Sequence, residues 1–178
     1  MWYVMQVLTG SETEVCEQCR KRIMQEREDV FVLLAERMTK IRGEWSLVTS
    51  RLFPGYVFID TERIRDFYER LKNIDCMTKI LRTGDEMTPI YREEEDYFRI
   101  IGGENHIVRY SQGYIEGDEL VITSGAMKDC QGKVKKILRH KRLVVLEISL
   151  MGRLVEVTVG MGIVARNGNS GAVRLAEI

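Results

Sequence analysis

Three groups of residues in this 178-residue chain have the types and spacing that chemistry requires. Cys16-Glu17-Gln18-Cys19 sets two thiols at the spacing of a zinc or redox pair. A structural zinc site needs four ligands, and Cys76, Cys130, His106 and His140 supply neither a second CxxC nor an HxxxH pair. The expectation is therefore four reduced thiols acting as small apolar side chains, with no metal and no other cofactor. Glu93-Glu94-Glu95-Asp96 gathers carboxylates of the kind that hold Mg²⁺, but consecutive residues on a helix diverge and do not converge on one ion. The sequence carries no phosphate-cradling glycine loop and no GxSxG elbow, and its two histidines lie far apart, so catalysis is not expected.

The third group is basic. From Lys133 to Arg142 there are six Lys or Arg, one His and no acid. On a strand, Lys133, Lys135 and Ile137 share one face and Val134 and Lys136 the other, after which Arg139, His140, Lys141 and Arg142 crowd one loop. They form a compact cationic knob suited to phosphate, and with Lys128 and Arg153 the stretch 128–153 holds eight basic residues against Asp129 and Glu147. Each phosphate neutralised releases condensed counterions, and arginine also stacks on bases or pairs with their edges. A solvated turn between two strands is the plainer reading of such a run. The balanced total of 27 Lys+Arg against 27 Asp+Glu conceals the polarity. Residues 1–112 hold 17 basic and 20 acidic side chains, a net of −3, whereas residues 113–178 hold 10 and 7, a net of +3.

The elements that must position these groups follow from periodicity. Trp2 to Leu8, aromatic and β-branched, reads as a strand that Thr9-Gly10 breaks. Ser11 with Glu14 forms a capping box for a helix running to about Glu26. Its inner face is Val15, Cys19 and Ile23; its outer face carries Glu12, Glu17, Arg20, Lys21 and Arg27. Val30 to Ala35 and Trp45 to Ser50 read as the arms of a long hairpin around Arg42-Gly43-Glu44. A strand at Gly55 to Asp60 and a helix at Glu62 to Asn73 follow, then short strands at Met77 to Leu81 and Met87 to Ile90. The acidic run opens a last helix, where the dipole favours negative charge. This order predicts an α+β class: a sandwich over 1–103 with helices on a mostly antiparallel sheet.

Residues 104–116 lack a clear period and read as a linker. From 117 to 166 the pattern changes to five short strands, Glu119 to Thr123, Gly132 to Ile137, Leu143 to Ser149, Arg153 to Val159 and Gly162 to Ala165, which imply a small β-barrel. Residues 167–178 form a turn-rich tail. No apolar run approaches the roughly 20 residues of a membrane span, and the first residues lack the form of a secretion signal, so a cytoplasmic protein without membrane contact is expected.

Two segments carry a resemblance that periodicity does not supply. Gly117-Asp118-Glu119-Leu120-Val121-Ile122-Thr123-Ser124-Gly125, continued by Lys128, Gly132-Lys133-Val134 and Ile137, resembles the KOW motif. Leu52-Phe53-Pro54-Gly55-Tyr56-Val57-Phe58 resembles the FPGY segment of NGN domains, and Trp2-Tyr3-Val4 stands where such a domain begins. Together they resemble the NusG family of transcription elongation factors over nearly the whole chain, in the family's domain order. The resemblance implies an NGN domain followed by a five-stranded SH3-like KOW barrel. It implies that Phe53, Pro54, Tyr56 and Tyr3 meet the β′ clamp helices of RNA polymerase, while Trp2 and Phe58 pack in the core. Lys40, Arg42 and Trp45 on the hairpin would face upstream DNA and the β gate loop.

Within that family the dense basic run is similar to the LoaP type of antiterminator. It implies that Lys128, Lys133, Lys135, Lys136, Arg139, His140, Lys141, Arg142 and Arg153 hold nascent RNA, such as a leader hairpin. The expected function is processive antitermination by a monomer. The alternatives are a general NusG-type factor whose barrel binds a ribosomal protein or Rho, and a ribosome-associated KOW RNA-binding protein.

Overall fold

The structure, a computed structural model, describes residues 1–117, 119–128 and 133–164. Expectations that fall on Asp118, Cys130, Gly132 and residues 165–178, including the barrel's end and the tail, lie outside the described residues. In chain order the elements begin with β1 (Trp2–Val7), α1 (Glu12–Arg22), β2 (Asp29–Phe31), β3 (Leu34–Ile41), β4 (Glu44–Arg51) and β5 (Tyr56–Asp60). They continue with α2 (Ile64–Leu71), β6 (Thr78–Ile80), β7 (Arg82–Thr83), β8 (Glu86–Met87), α3 (Arg92–Gly102) and β9 (Ile107–Val108). The last strands are β10 (Ser111–Glu116), β11 (Glu119–Ser124), β12 (Val134–Leu138), β13 (Leu143–Leu150) and β14 (Arg153–Ile163). The chain is the mixed α+β protein expected, and it divides into two compact units.

The first unit comprises Met1–Leu33, Phe53–Phe98 and Leu150–Arg153. Its sheet runs β2-β5-β1-β6, antiparallel at each pairing. Alternation along β1 splits its side chains between two layers. Tyr3, Met5 and Val7 pack with Val15, Cys16 and Cys19 of α1 and with Phe67 and Leu71 of α2. Trp2 turns the other way, its ring 4.7 Å from Phe31 and 6.1 Å from Phe58, while Phe58 lies 6.1 Å from Phe98 of α3. Trp2 and Phe58 are fully buried, and the Trp2 indole N–H donates to Asp60 at 2.9 Å. Such edge-on aromatic pairs add to the area they bury.

Two expectations about α1 fail. The Ser11 hydroxyl donates to the Leu8 carbonyl at 2.7 Å and caps nothing, so no capping box forms. Glu12, expected on the outer face of α1, is fully buried, because its carboxylate accepts two backbone N–H groups outside the helix, those of Gly10 and Gly55. The first hairpin arm also begins later than expected. Val30 pairs with Ile59 in the central sheet, and the arm proper is β3.

The second unit comprises Leu34–Leu52, Arg99–Ser149 and the chain from Leu154 onward. It holds the β3–β4 hairpin, with β9 parallel to β3, and a five-stranded sheet ordered β11-β10-β14-β13-β12. Residues 104–116 are therefore more than a linker, since they carry β9 and β10, and β10 is the fifth strand of the sheet. The segment expected as a separate strand at Gly162 belongs to the eleven-residue β14. The period-two pattern of β10 is not apolar in sequence, because small residues occupy its inner positions. Ser111 is fully buried, with its hydroxyl accepting the Met127 N–H at 3.1 Å. A Cβ on Gly113 would lie 2.4 Å from the Val121 carbonyl oxygen.

Candidate functional site

The Phe53-Pro54-Gly55-Tyr56 segment forms a tight turn before β5. The Tyr56 N–H donates to the Phe53 carbonyl at 3.2 Å, and Gly55 has φ +81°. Proline second and a left-handed glycine third are what a type II turn demands. The turn exposes Pro54 and half-exposes Tyr56, while Phe53 lies beneath at 5% exposure, 5.6 Å from Phe98 and 5.9 Å from Phe58. Tyr3, at 4% exposure, belongs to the core, and burial pushes its phenol above the ordinary range. Of the four residues expected to meet polymerase, Pro54 and Tyr56 reach the surface, Phe53 packs beneath the turn, and Tyr3 is buried in the layer facing α1 and α2.

The hairpin is paired without interruption from Leu34↔Arg51 to Ile41↔Glu44. Its two-residue turn places Arg42 at φ 53° and Gly43 at φ 91°, both left-handed, as a twisted hairpin prefers. Arg42 is exposed at the tip. Lys40 and Trp45 stand directly opposite each other, with the ammonium 5.4 Å from the indole centroid. Arg142 comes to the same ring, its guanidinium carbon 4.3 Å from the centroid. Residues about a hundred positions apart in sequence thus meet in one stack of cations on an aromatic.

The basic run folds as β12, a single 3₁₀ turn over Arg139–Lys141, and Arg142 in the left-handed region at φ 54°. Space supplies the acid that the local sequence lacks. The Lys135 ammonium lies 2.8 Å from both Glu147 on β13 and Glu156 on β14. Those two hydrogen bonds hold the ammonium well above the ordinary lysine range, and Lys135 in turn lowers Glu156, with Lys136 adding to the effect. Arg139, His140 and Lys141 are exposed and have no carboxylate partner among the described residues. Lys128, Lys133 and Lys136 are also exposed, and Arg153 is exposed in the other unit. The run therefore resolves into an ion-paired Lys135, an indole-stacked Arg142 and an open cationic turn between them.

Three carboxylates that position these features were not anticipated. Glu12 holds the tight turn through the Gly55 N–H at 2.7 Å. Glu36 accepts Arg109 Nη1 at 2.6 Å and the Tyr110 N–H at 2.9 Å, fastening β3. Burial pushes the Glu36 carboxyl up, but the Tyr110 amide and the Arg109 guanidinium outweigh it and leave it below the usual range. Glu94 accepts the Met151 and Gly152 N–H groups at 2.9 and 3.0 Å, which accounts for one member of the acidic run as a structural clamp. No local signal marks these residues, since their partners lie between 43 and 74 residues away, apart from the nearby Gly10 and Tyr91 amides.

The two thiols of the CxxC segment are core side chains. Cys16 and Cys19 are buried in the core of the first unit, and burial, with Cys16 and Cys76 nearby, pushes the Cys19 thiol up to about 12. A thiol so placed stays protonated. Among the described residues no group of three or more His, Cys, Asp or Glu is placed to hold a metal ion. No helix among them is long and apolar enough to cross a membrane.

Comparison with known proteins sets these features in context. A family model described as "Transcription termination factor nusG" matches residues 1–99. Among curated proteins, the transcription termination/antitermination protein NusG of Haemophilus influenzae is 27% identical over 168 residues, covering 90% of this chain and 91% of its own length. The protein of the same description from Thermus thermophilus is 24% identical over 166 residues, covering 85% of this chain and 90% of its own. A solved structure described as "Domain interaction in Thermotoga maritima NusG" shares the fold, with a TM-score of 0.53 at 21% identity, over 89% of this chain and 92% of that one.

Proposed function

The chain belongs to the NusG family, and from that membership we propose that it is a processive antiterminator that holds RNA polymerase through its NGN part and nascent RNA through its barrel. In this reading residues 1–103 are the NGN domain and 117–166 the KOW barrel. Pro54 and Tyr56, presented on the type II turn above Phe53, meet the β′ clamp helices, while Tyr3 packs in the helix-covered layer of the sheet that carries the turn. The hairpin tip at Arg42 faces upstream DNA and the β gate loop. Rigid display of an aromatic beside a proline suits capture of a helix tip, since little entropy is lost on binding.

The observation that carries the RNA half of the proposal is the open turn of Arg139, His140 and Lys141, three exposed groups with no carboxylate partner among the described residues. Four to six phosphate contacts would make binding strong and steeply salt-dependent. One observation favours the other reading, a general NusG-type factor whose barrel binds a ribosomal protein or Rho. Lys135, in the middle of the run, is already neutralised by Glu147 and Glu156.

Genome-wide association with chromatin separates the two. A dedicated antiterminator occupies few operons and raises terminator readthrough in transcription reconstituted with native polymerase, and Arg139→Ala with Lys141→Ala removes the effect. Occupancy of all operons, with readthrough indifferent to those changes, would establish the general factor instead.

A further inference from the structure

The hairpin and the basic turn of the second unit enclose a cleft of about 620 Å³. Arg37, Thr39, Lys40 and Trp45 line it from the hairpin, and His140 and Lys141 from the turn. That volume falls in the range of small-ligand sites and exceeds what one nucleotide needs. Its lining contains three permanent cations, a hydroxyl, an imidazole and an indole, and among the described residues no carboxylate. A ligand that fits this set carries negative charge at more than one point and a flat ring between. The indole already stacks a planar group, the Arg142 guanidinium 4.3 Å from its centroid, so a base on this ring displaces that guanidinium or takes the other face.

We propose that this cleft is a binding site for one or two nucleotides of an unpaired RNA strand, a base stacking on Trp45 and the flanking phosphates lying on Arg37, Lys40 and Lys141. The inference rests on the reading of the basic turn as an RNA surface and extends it, since half of the site now comes from the hairpin. Base stacking on an aromatic is tolerant of sequence, and the surrounding cations track the backbone. A duplex cannot offer an unstacked base to the indole, so the cleft selects single strands.

The full-length protein tests this. Trp2 is fully buried, so a change in tryptophan emission on ligand binding reports Trp45. Labelled hexauridylate is titrated by anisotropy while emission is followed, with deoxyhexauridylate and a duplex of equal length as parallel arms. The expected result is quenched emission and single-strand binding that weakens at least fivefold in Arg37→Ala and in Trp45→Ala, less in Trp45→Phe. Lys141→Ala should lower the slope of log affinity against log salt by roughly 0.7, the share of one phosphate on a single strand. RNA bound at least as tightly as DNA supports the assignment, and a clear preference for DNA overturns it. If Arg37→Ala and Trp45→Ala stay within twofold of the parent, or if the duplex binds as well as the strand, the cleft is not the site. Should Arg139→Ala alone weaken binding, the basic turn stands without the cleft. Absence of RNA binding in the parent protein overturns both.

Discussion

The Glu12 carboxylate accepts the Gly55 N–H at 2.7 Å across 43 residues of sequence, tying the start of α1 to the turn that displays Pro54 and Tyr56. Its second oxygen accepts the Gly10 N–H at 2.9 Å. Glu12→Ala leaves both amides without that acceptor, at a cost of about 1–3 kcal/mol for each one left buried and unpaired. Urea unfolding of Glu12→Ala should show a loss of roughly 3 kcal/mol, and Glu12→Gln, which keeps one acceptor, a smaller one. An unchanged midpoint would mean that water replaces the carboxylate.

Polymerase capture depends on what the turn exposes. Tyr56→Ala is expected to weaken co-precipitation with RNA polymerase about tenfold, equivalent to 1.4 kcal/mol, with little change in melting temperature. Phe53→Ala should instead destabilise the fold by about 3–5 kcal/mol, since Phe53 lies in the aromatic core. Equal effects of the two changes on stability would contradict this division.

Acid sensitivity has a defined source in the first unit. Glu28, its side chain only 3% exposed, pairs with Arg70 at 2.7 Å and also accepts hydrogen bonds from the Thr61 hydroxyl and the Gln25 amide. Burial raises the Glu28 carboxyl, but the Arg70, Gln25 and Thr61 hydrogen bonds outweigh it and hold it below the ordinary range. Glu36, in the second unit, behaves likewise. A carboxyl depressed on folding contributes stability above its unfolded pKa, and that contribution is lost as pH falls through the lower folded value. Unfolding free energy should therefore decline from about pH 4.3 downward. Glu28→Gln should flatten that slope, while Arg70→Ala, which strands a buried carboxylate, should cost about 3–5 kcal/mol at neutral pH.

Gly160 marks where β14 presses on the hairpin. A Cβ there would lie 2.4 Å from the Glu36 carbonyl oxygen and 2.7 Å from Arg37 Cα, both backbone atoms that cannot swing aside. Gly160→Ala should lower stability by about 1–3 kcal/mol through overpacking and speed amide exchange along β3. Gly103→Ala, where nothing lies within 4 Å, serves as a comparison for backbone strain alone, since its φ is +57°.

The stack on Trp45 should be visible by itself. Arg142→Ala removes a cation–π contact worth about 0.5–1 kcal/mol. Trp45 emission should shift to the red and amides near Arg42-Gly43 should exchange faster. Emission identical to the parent would show that the guanidinium does not rest on the ring in solution.

Much of the first unit was legible in the sequence because its signals are local. Period-two alternation from Trp2, the inner face of Val15, Cys19 and Ile23, and the proline and glycine of the turn before β5 each express a rule that spans a few residues. The resemblance carried by the FPGY segment, which named the family, rests on the same short reach. The tertiary structure decided whatever depends on partners distant along the chain. It drew Glu12 inward to an amide 43 residues away, neutralised Lys135 with acids from two other strands, and set Arg142 on Trp45. It also made a strand of 111–116, whose inner positions are held by serine and glycine. A side chain's type states what it can bind, but burial and electrostatics are sums over neighbours in space, and only the folded chain supplies those neighbours.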